Sequence, residues 1–261
     1  MTEMPTELKT ALVQARIHWA DPEANRAHLS ALMDRAPDCD LYVLPETCTT
    51  GFLGDAGCSA EGMDGPSVDW LRDQAAIRAA AVTGSFVIAE AGRTRNRMLF
   101  AVPEGTLHVY DKAHLFGYGG EERRYSPGRK RTRLEWRGWR IDLQVCYDLR
   151  FPVWCRNDDA FDLQLYVANW PAPRVDAWAT LLKARAIENQ AFVIGVNRVG
   201  TDGNEVEYPG RSSAWDPAGE RLVELDDSES VETVELDLQA LRKIREKFRF
   251  LADRDSYLIR P

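Results

Sequence analysis

IDLQVCYDLRFPVW (141–154) is the stretch on which the fold turns. Ile141 to Val145 reads as a strand, and it runs directly into Cys146, Tyr147, Asp148 and Arg150, a sudden cluster of reactive side chains. Three other apolar runs end the same way: LYVLPE (41–46) at Glu46, LHVYDK (107–112) at Lys112, and LQLYVANW (163–170) at Trp170. Ligand sites of α/β sheets form beyond the carboxyl ends of strands, so these four ends are expected to meet in one cleft.

Working outward, further strands are expected at Thr10 to Ala15, Ser85 to Ala91, Met98 to Val102 and Phe192 to Val196. Helical patterns cover Pro22 to Arg35, Ser67 to Ala81 after a Gly-Pro, and Arg174 to Asn189, the last with Val175, Trp178, Leu182 and Ala186 on one face. A charged helix is expected over Leu236 to Phe248, followed by an irregular tail. The first part therefore alternates strand and helix. The middle joins strands through short turns, Pro103-Glu104-Gly105 and Arg137-Gly138, which suits antiparallel neighbours. Two packed mixed sheets with helices outside satisfy both halves. No internal repeat or linker divides the 261 residues, so a single domain over 1–261 is expected.

Composition narrows the function. A net charge of −8 disfavours attraction to nucleic acid or anionic membrane, and neither is expected as a partner. The polar start MTEMPTELK (1–9) lacks a signal-peptide layout, and no run of 18 apolar residues occurs. Five cysteines, at 39, 48, 58, 146 and 155, form no regular framework and read as reduced thiols of a cytoplasmic protein. The basic-rich segment EERRYSPGRKRTR (121–133) reads as a solvated loop or as a positive lip to a cleft.

Chemistry gives the strand ends their meaning. A thiol near its free pKa needs a base within reach or a positive neighbour that favours the thiolate, and Glu46 and Lys112 are those two groups. Attack on an amide puts negative charge on the carbonyl oxygen, for which the Lys112 ammonium and the Tyr147 backbone N–H are candidate donors. A Cys146–His114 pair is the rival arrangement, although no acid to orient the imidazole is evident from spacing. No HExxH, CxxC or phosphate loop is present, so no metal and no cofactor are expected.

PETCTTGF (45–52), YDKAHLF (110–116), CYDLRFPVW (146–154) and NWPAPR (169–174) together resemble the nitrilase superfamily of carbon–nitrogen hydrolases, and the resemblance spans nearly the whole chain. The likeness is strongest to its ω-amidase branch, which hydrolyses the side-chain amides of 2-oxoglutaramate and 2-oxosuccinamate; ARAIENQAFVIGVNRVGTDGN (184–204) strengthens it. The resemblance implies a four-layer α-β-β-α sandwich that pairs into a homodimer or higher oligomer, with Trp154 and the 174–189 helix near the paired face. It also implies Cys146 as nucleophile, Glu46 as general base, Lys112 as the cation for the tetrahedral intermediate, and Glu121 as a second carboxylate, with Glu122 adjacent as its alternative. For the substrate, Arg150 is a candidate carboxylate partner or a structural residue, and Phe116, Tyr125, Tyr147 and Trp170 are candidate pocket residues. Another amidase or an N-carbamoyl hydrolase is the enzyme alternative. A non-catalytic binder on the same fold is the alternative outside enzymes.

Overall fold

The computed structural model describes residues 6–53, 60–158 and 161–259; Cys58 and the two ends of the 1–261 span lie outside them. Strands β1 (Glu7–Gln14), β2 (Leu41–Val43), β3 (Ala81–Glu90), β4 (Arg93–Ala101) and β5 (Leu107–Asp111) build the first half, with helices α1 (Pro22–Met33) and α2 (Pro66–Arg78) between them. The second half contains β6 (Thr132–Trp136), β7 (Trp139–Val145), β8 (Leu163–Ala168), α3 (Val175–Asn189) and β9 (Phe192–Asn197). A small ribbon of β10 (Val199–Thr201) and β11 (Glu207–Pro209) follows, then β12 (Ser213–Trp215), β13 (Arg221–Glu224), β14 (Ser230–Asp237) and α4 (Leu238–Lys247).

Two six-stranded sheets result, in the orders β14-β1-β2-β3-β4-β5 and β13-β12-β9-β8-β7-β6. Each has three parallel central strands, β1-β2-β3 and β7-β8-β9, flanked by antiparallel ones. Period-two alternation decides what each face meets. Leu8 and Leu12 of β1 and Leu41 and Val43 of β2 join Leu134, Ile141, Leu143 and Leu165 in the core between the sheets. Their alternates Ala11, Val13 and Tyr42 turn outward against Leu29, Leu32, Val68 and Leu71 of α1 and α2. Helix α3 covers the second sheet, completing the expected four layers. Its close approach needs Gly195 on β9, where a Cβ would stand 2.5 Å from Leu182 and 2.7 Å from Trp178.

The strand and helix limits differ from expectation in instructive places. β3 starts at Ala81 rather than Ser85, because Gly84 interrupts the apolar pattern; a Cβ there would meet Leu44 at 2.9 Å. The charged helix starts at Leu238, since Leu236 still pairs with Leu8 and Asp237 caps the helix through Gln239 N–H. Strands β6 and β10 to β14 were not expected; β14 is an edge strand whose polar residues face out, so it has few apolar positions to announce it. Trp154, expected near a paired face, is buried and donates to the Tyr110 hydroxyl at 3.0 Å. No helix among the described residues is long and apolar enough to cross a membrane.

Candidate active site

Four strand ends converge as expected. Glu46 follows β2, Lys112 follows β5, Cys146 follows β7 and Trp170 follows β8, with Asn169 beside it, all lining one cavity. Cys146 takes φ +46° and Thr47, beside Glu46, takes φ +43°. A left-handed backbone at a non-glycine residue is costly and persists only where surroundings enforce it. Asp148 supplies that enforcement for Cys146. Buried inside the turn Cys146–Arg150, its carboxylate accepts from Val145 N–H at 3.1 Å, His114 N–H at 2.9 Å and the Tyr110 hydroxyl at 2.8 Å. The strand is thereby stopped and the thiol presented at its tip.

Glu46 and Lys112 are each 1% exposed. Glu46 Oε1 accepts from Lys112 Nζ at 2.9 Å and Asn96 Nδ2 at 2.7 Å, while Oε2 accepts from Asn169 N–H at 2.7 Å. Lys112 Nζ also lies 2.9 Å from Glu121 Oε1 and 2.8 Å from Oε2. Glu121 in turn accepts from Phe116 N–H at 2.6 Å. Of the two adjacent glutamates, Glu121 is buried against Lys112 and Glu122 is exposed.

Electrostatics set the resting proton positions. Burial opposes the Lys112 charge, but Glu121 and Glu46, with Cys146, outweigh it and hold the ammonium well above its ordinary pKa. Burial likewise raises Glu121; Lys112 pulls it down, Glu46 pushes it up, and the net is upward. For Cys146, burial and the Glu46 charge raise the thiol well above its ordinary value, against a lowering by Lys112. Of the two groups expected to activate the thiol, the base matters more here, because burial and two carboxylates outweigh one ammonium. A neutral thiol beside a carboxylate requires proton transfer as it attacks.

These groups open onto a cavity of about 230 Å³. Phe116, Tyr147, Arg150 and Trp170 line it, as expected from sequence. Tyr125 does not. The turn Glu121–Arg123 folds it inward, where its N–H donates to the Glu121 carbonyl at 2.8 Å, and burial raises its hydroxyl pKa. His114 is also absent from the wall; its Nδ1 lies 2.8 Å from Asp148 and its ring stacks on Phe151 at 3.6 Å. An acid that orients the imidazole does exist, but it holds the ring away from the pocket. In the basic-rich segment Arg131 and Arg133 pair with Asp158, whereas Arg123, Arg129 and Lys130 are exposed. Among the described residues no group of His, Cys, Asp and Glu is placed to hold a metal.

Sequence reasoning missed Asn96, Asn169, Arg174, Asp202 and Tyr208. Asn96 had a signal, an amide at a buried strand position in the same alternation as Met98 and Phe100. Asn169 and Arg174 sat inside the quoted NWPAPR without being singled out. Asp202 and Tyr208 belong to the β10–β11 ribbon, where the Tyr208 hydroxyl donates to Asp202 at 2.9 Å; only the tertiary fold brings them to the pocket.

A carbon-nitrogen hydrolase profile matches residues 9–246. The chain is 44% identical to the omega-amidase YafV of Yersinia enterocolitica over 97% of this chain and 98% of that protein. It is 33% identical to a 2-oxoglutaramate amidase of Bacillus subtilis, over 90% and 92% respectively. Among solved structures, a CN-hydrolase superfamily protein of Xanthomonas campestris, with an arsenic adduct in its active site, superposes with a TM-score of 0.95 at 48% identity, covering 97% of this chain and 99% of that one. The strand-end thiol, the two sheets and these likenesses agree: the chain belongs to the carbon–nitrogen hydrolases of the nitrilase superfamily and is an amidase.

Proposed function

We propose that this amidase hydrolyses the side-chain amide of a small ω-amido oxoacid, 2-oxoglutaramate or 2-oxosuccinamate, to the oxo-dicarboxylic acid and ammonia through a thioester on Cys146. The observation that carries the reading is the convergence of Cys146, Glu46 and Lys112 on the floor of a small cavity with Arg150 in its wall. The names of the relatives point to the same substrate class.

In this mechanism Glu46 takes the thiol proton as Sγ attacks the amide carbon. The oxyanion forms beside the Lys112 ammonium and the Tyr147 N–H, and one such donor is worth about 3 kcal/mol in the transition state. The tetrahedral intermediate collapses with cleavage of the C–N bond, and the proton held by Glu46 passes to the departing nitrogen. Ammonia leaves. A water then loses a proton to Glu46 and attacks the thioester, and the thiolate recovers that proton as the acid departs. Glu121 keeps Lys112 in place and acts through it. Arg150 takes the substrate carboxylate: it lines the cavity, and its guanidinium lies 5.0 Å over the Trp170 ring.

Ammonia release from 2-oxoglutaramate by wild type and Cys146→Ala tests this, with glutamine and a simple nitrile for comparison. Release that needs Cys146 and favours the oxoacid amide is expected. Turnover surviving in Cys146→Ala removes the nucleophile assignment, and equal turnover of glutamine removes the substrate class.

A further inference from the structure

The cavity contains a second arginine. Arg174, at the end of the turn Ala172–Arg174, lines the same space as Arg150, and its guanidinium lies 5.2 Å over the Phe116 ring. Trp170, which carries Arg150 on its face, donates its indole N–H to the Arg174 carbonyl at 2.6 Å, so the two positions share one aromatic scaffold. Neither arginine has a carboxylate partner among the described residues, and the guanidinium of each lies over an aromatic ring. The nearby Arg185 and Arg198 offer a contrast. Arg185 is committed to Glu188 and the Leu149 carbonyl, and Arg198 is buried at 1% exposure outside the cavity.

Asp202 on the wall is offset by Arg198, whose guanidinium lies 4.7 Å over the Tyr208 ring. Glu46 and Glu121 flank the single ammonium of Lys112, and the further buried carboxylate of Asp148 lies in the thiol turn. Amid these carboxylates Arg174 adds a second positive charge to that of Arg150 on the cavity wall, where an anionic substrate would meet it.

We infer that Arg174 is a specificity-determining residue that joins Arg150 in holding the carboxylate end of the substrate and selects anionic amides over neutral ones. The inference rests on the substrate reading above, and it assigns the discrimination to a residue of the NWPAPR turn rather than of the thiol turn. A carboxylate between two planar guanidinium forks is fixed at both oxygens, which also sets how far the amide reaches toward Cys146.

The test compares kcat/KM for 2-oxoglutaramate and for neutral pentanamide in wild type, Arg174→Gln and Arg174→Lys. The ratio of the two is expected to fall 10- to 100-fold in Arg174→Gln, chiefly through KM for the oxoacid, with part of it recovered in Arg174→Lys. A ratio that stays at the wild-type value, or an equal loss on both substrates, overturns the inference. Calorimetric binding of 2-oxoglutarate to Cys146→Ala and to Cys146→Ala/Arg174→Gln separates the two proposals. If wild type does not prefer the oxoacid amide, the substrate reading falls. In that case binding weakened at least 10-fold by the arginine substitution still supports an anion subsite at Arg174, and unchanged binding removes it.

Discussion

Replacing Lys112 by methionine keeps the length of the side chain and removes its charge from between two buried carboxylates. Glu46 and Glu121 then lose contacts of 2.9 and 2.8 Å and share a space in which they are 1% and 0% exposed. Removing one partner of a buried ion pair costs about 3–5 kcal/mol, because the remaining charge stays desolvated. Hydrogen bonds from Asn96 and Asn169 to Glu46 and from Phe116 to Glu121 survive, which favours the lower end. For a chain of this size each kcal/mol moves Tm by about 2–4 °C, so a loss of about 10 °C is expected near neutral pH. The sign with pH follows from Glu121. Its folded pKa is already above the ordinary 4.5, and losing the Lys112 charge that pulls it down raises it further. A raised folded pKa gives stability that is present below the unfolded value and lost as pH rises through the folded one. The variant should therefore approach wild type near pH 5 and diverge above it, by up to about 1.4 kcal/mol per pH unit for one proton. Thermal unfolding by near-UV circular dichroism at pH 5 and pH 8 measures this, alongside ammonia release, which should drop about 10²–10³-fold with the oxyanion donor gone. A stability loss equal at the two pH values, or under about 1 kcal/mol at both, would refute the buried-triad argument.

Two further outcomes are expected. The difference in absorbance at 240 nm between wild type and Cys146→Ala should show no thiolate at neutral pH and should begin to rise only in the alkaline range, because burial and the Glu46 charge hold the thiol well above 9.0; a plateau below pH 9 would mean that Lys112 dominates instead. Gly195→Ala places a Cβ 2.5 Å from Leu182 and should lower stability by about 1–3 kcal/mol in urea unfolding, and a neutral result would show that α3 can shift away from β9 without loss.

Much of this site was legible in the sequence because its residues sit where a local pattern changes. Glu46, Lys112 and Cys146 each end an apolar strand, so one-dimensional periodicity already marked them as leaving the sheet together. The layered fold was legible for the same reason: Leu8, Leu12, Leu41 and Val43 alternate with residues that face the helices. What escaped has no such signature. Tyr125 was expected in the pocket as an aromatic residue, yet its backbone is tied to the turn at Glu121–Arg123 and its side chain does not line the cavity. β14 was missed because a half-exposed edge strand has few apolar positions, and Asp202 and Tyr208 reach the site on a ribbon far from it in sequence.

The difference between these groups is physical. Strand-end residues are positioned by backbone periodicity, which local sequence encodes, whereas the groups that prepare them for chemistry are positioned by tertiary hydrogen bonds. Asp148 shows both at once. It reads as one more polar residue after a strand, but its carboxylate ties Val145, His114 and Tyr110 together and stabilises the positive φ of Cys146. The same bonds that hold the nucleophile at the strand tip occupy His114. The acid that would have oriented a histidine base therefore fixes the backbone of the thiol turn, and the carboxylate left beside the thiol is Glu46.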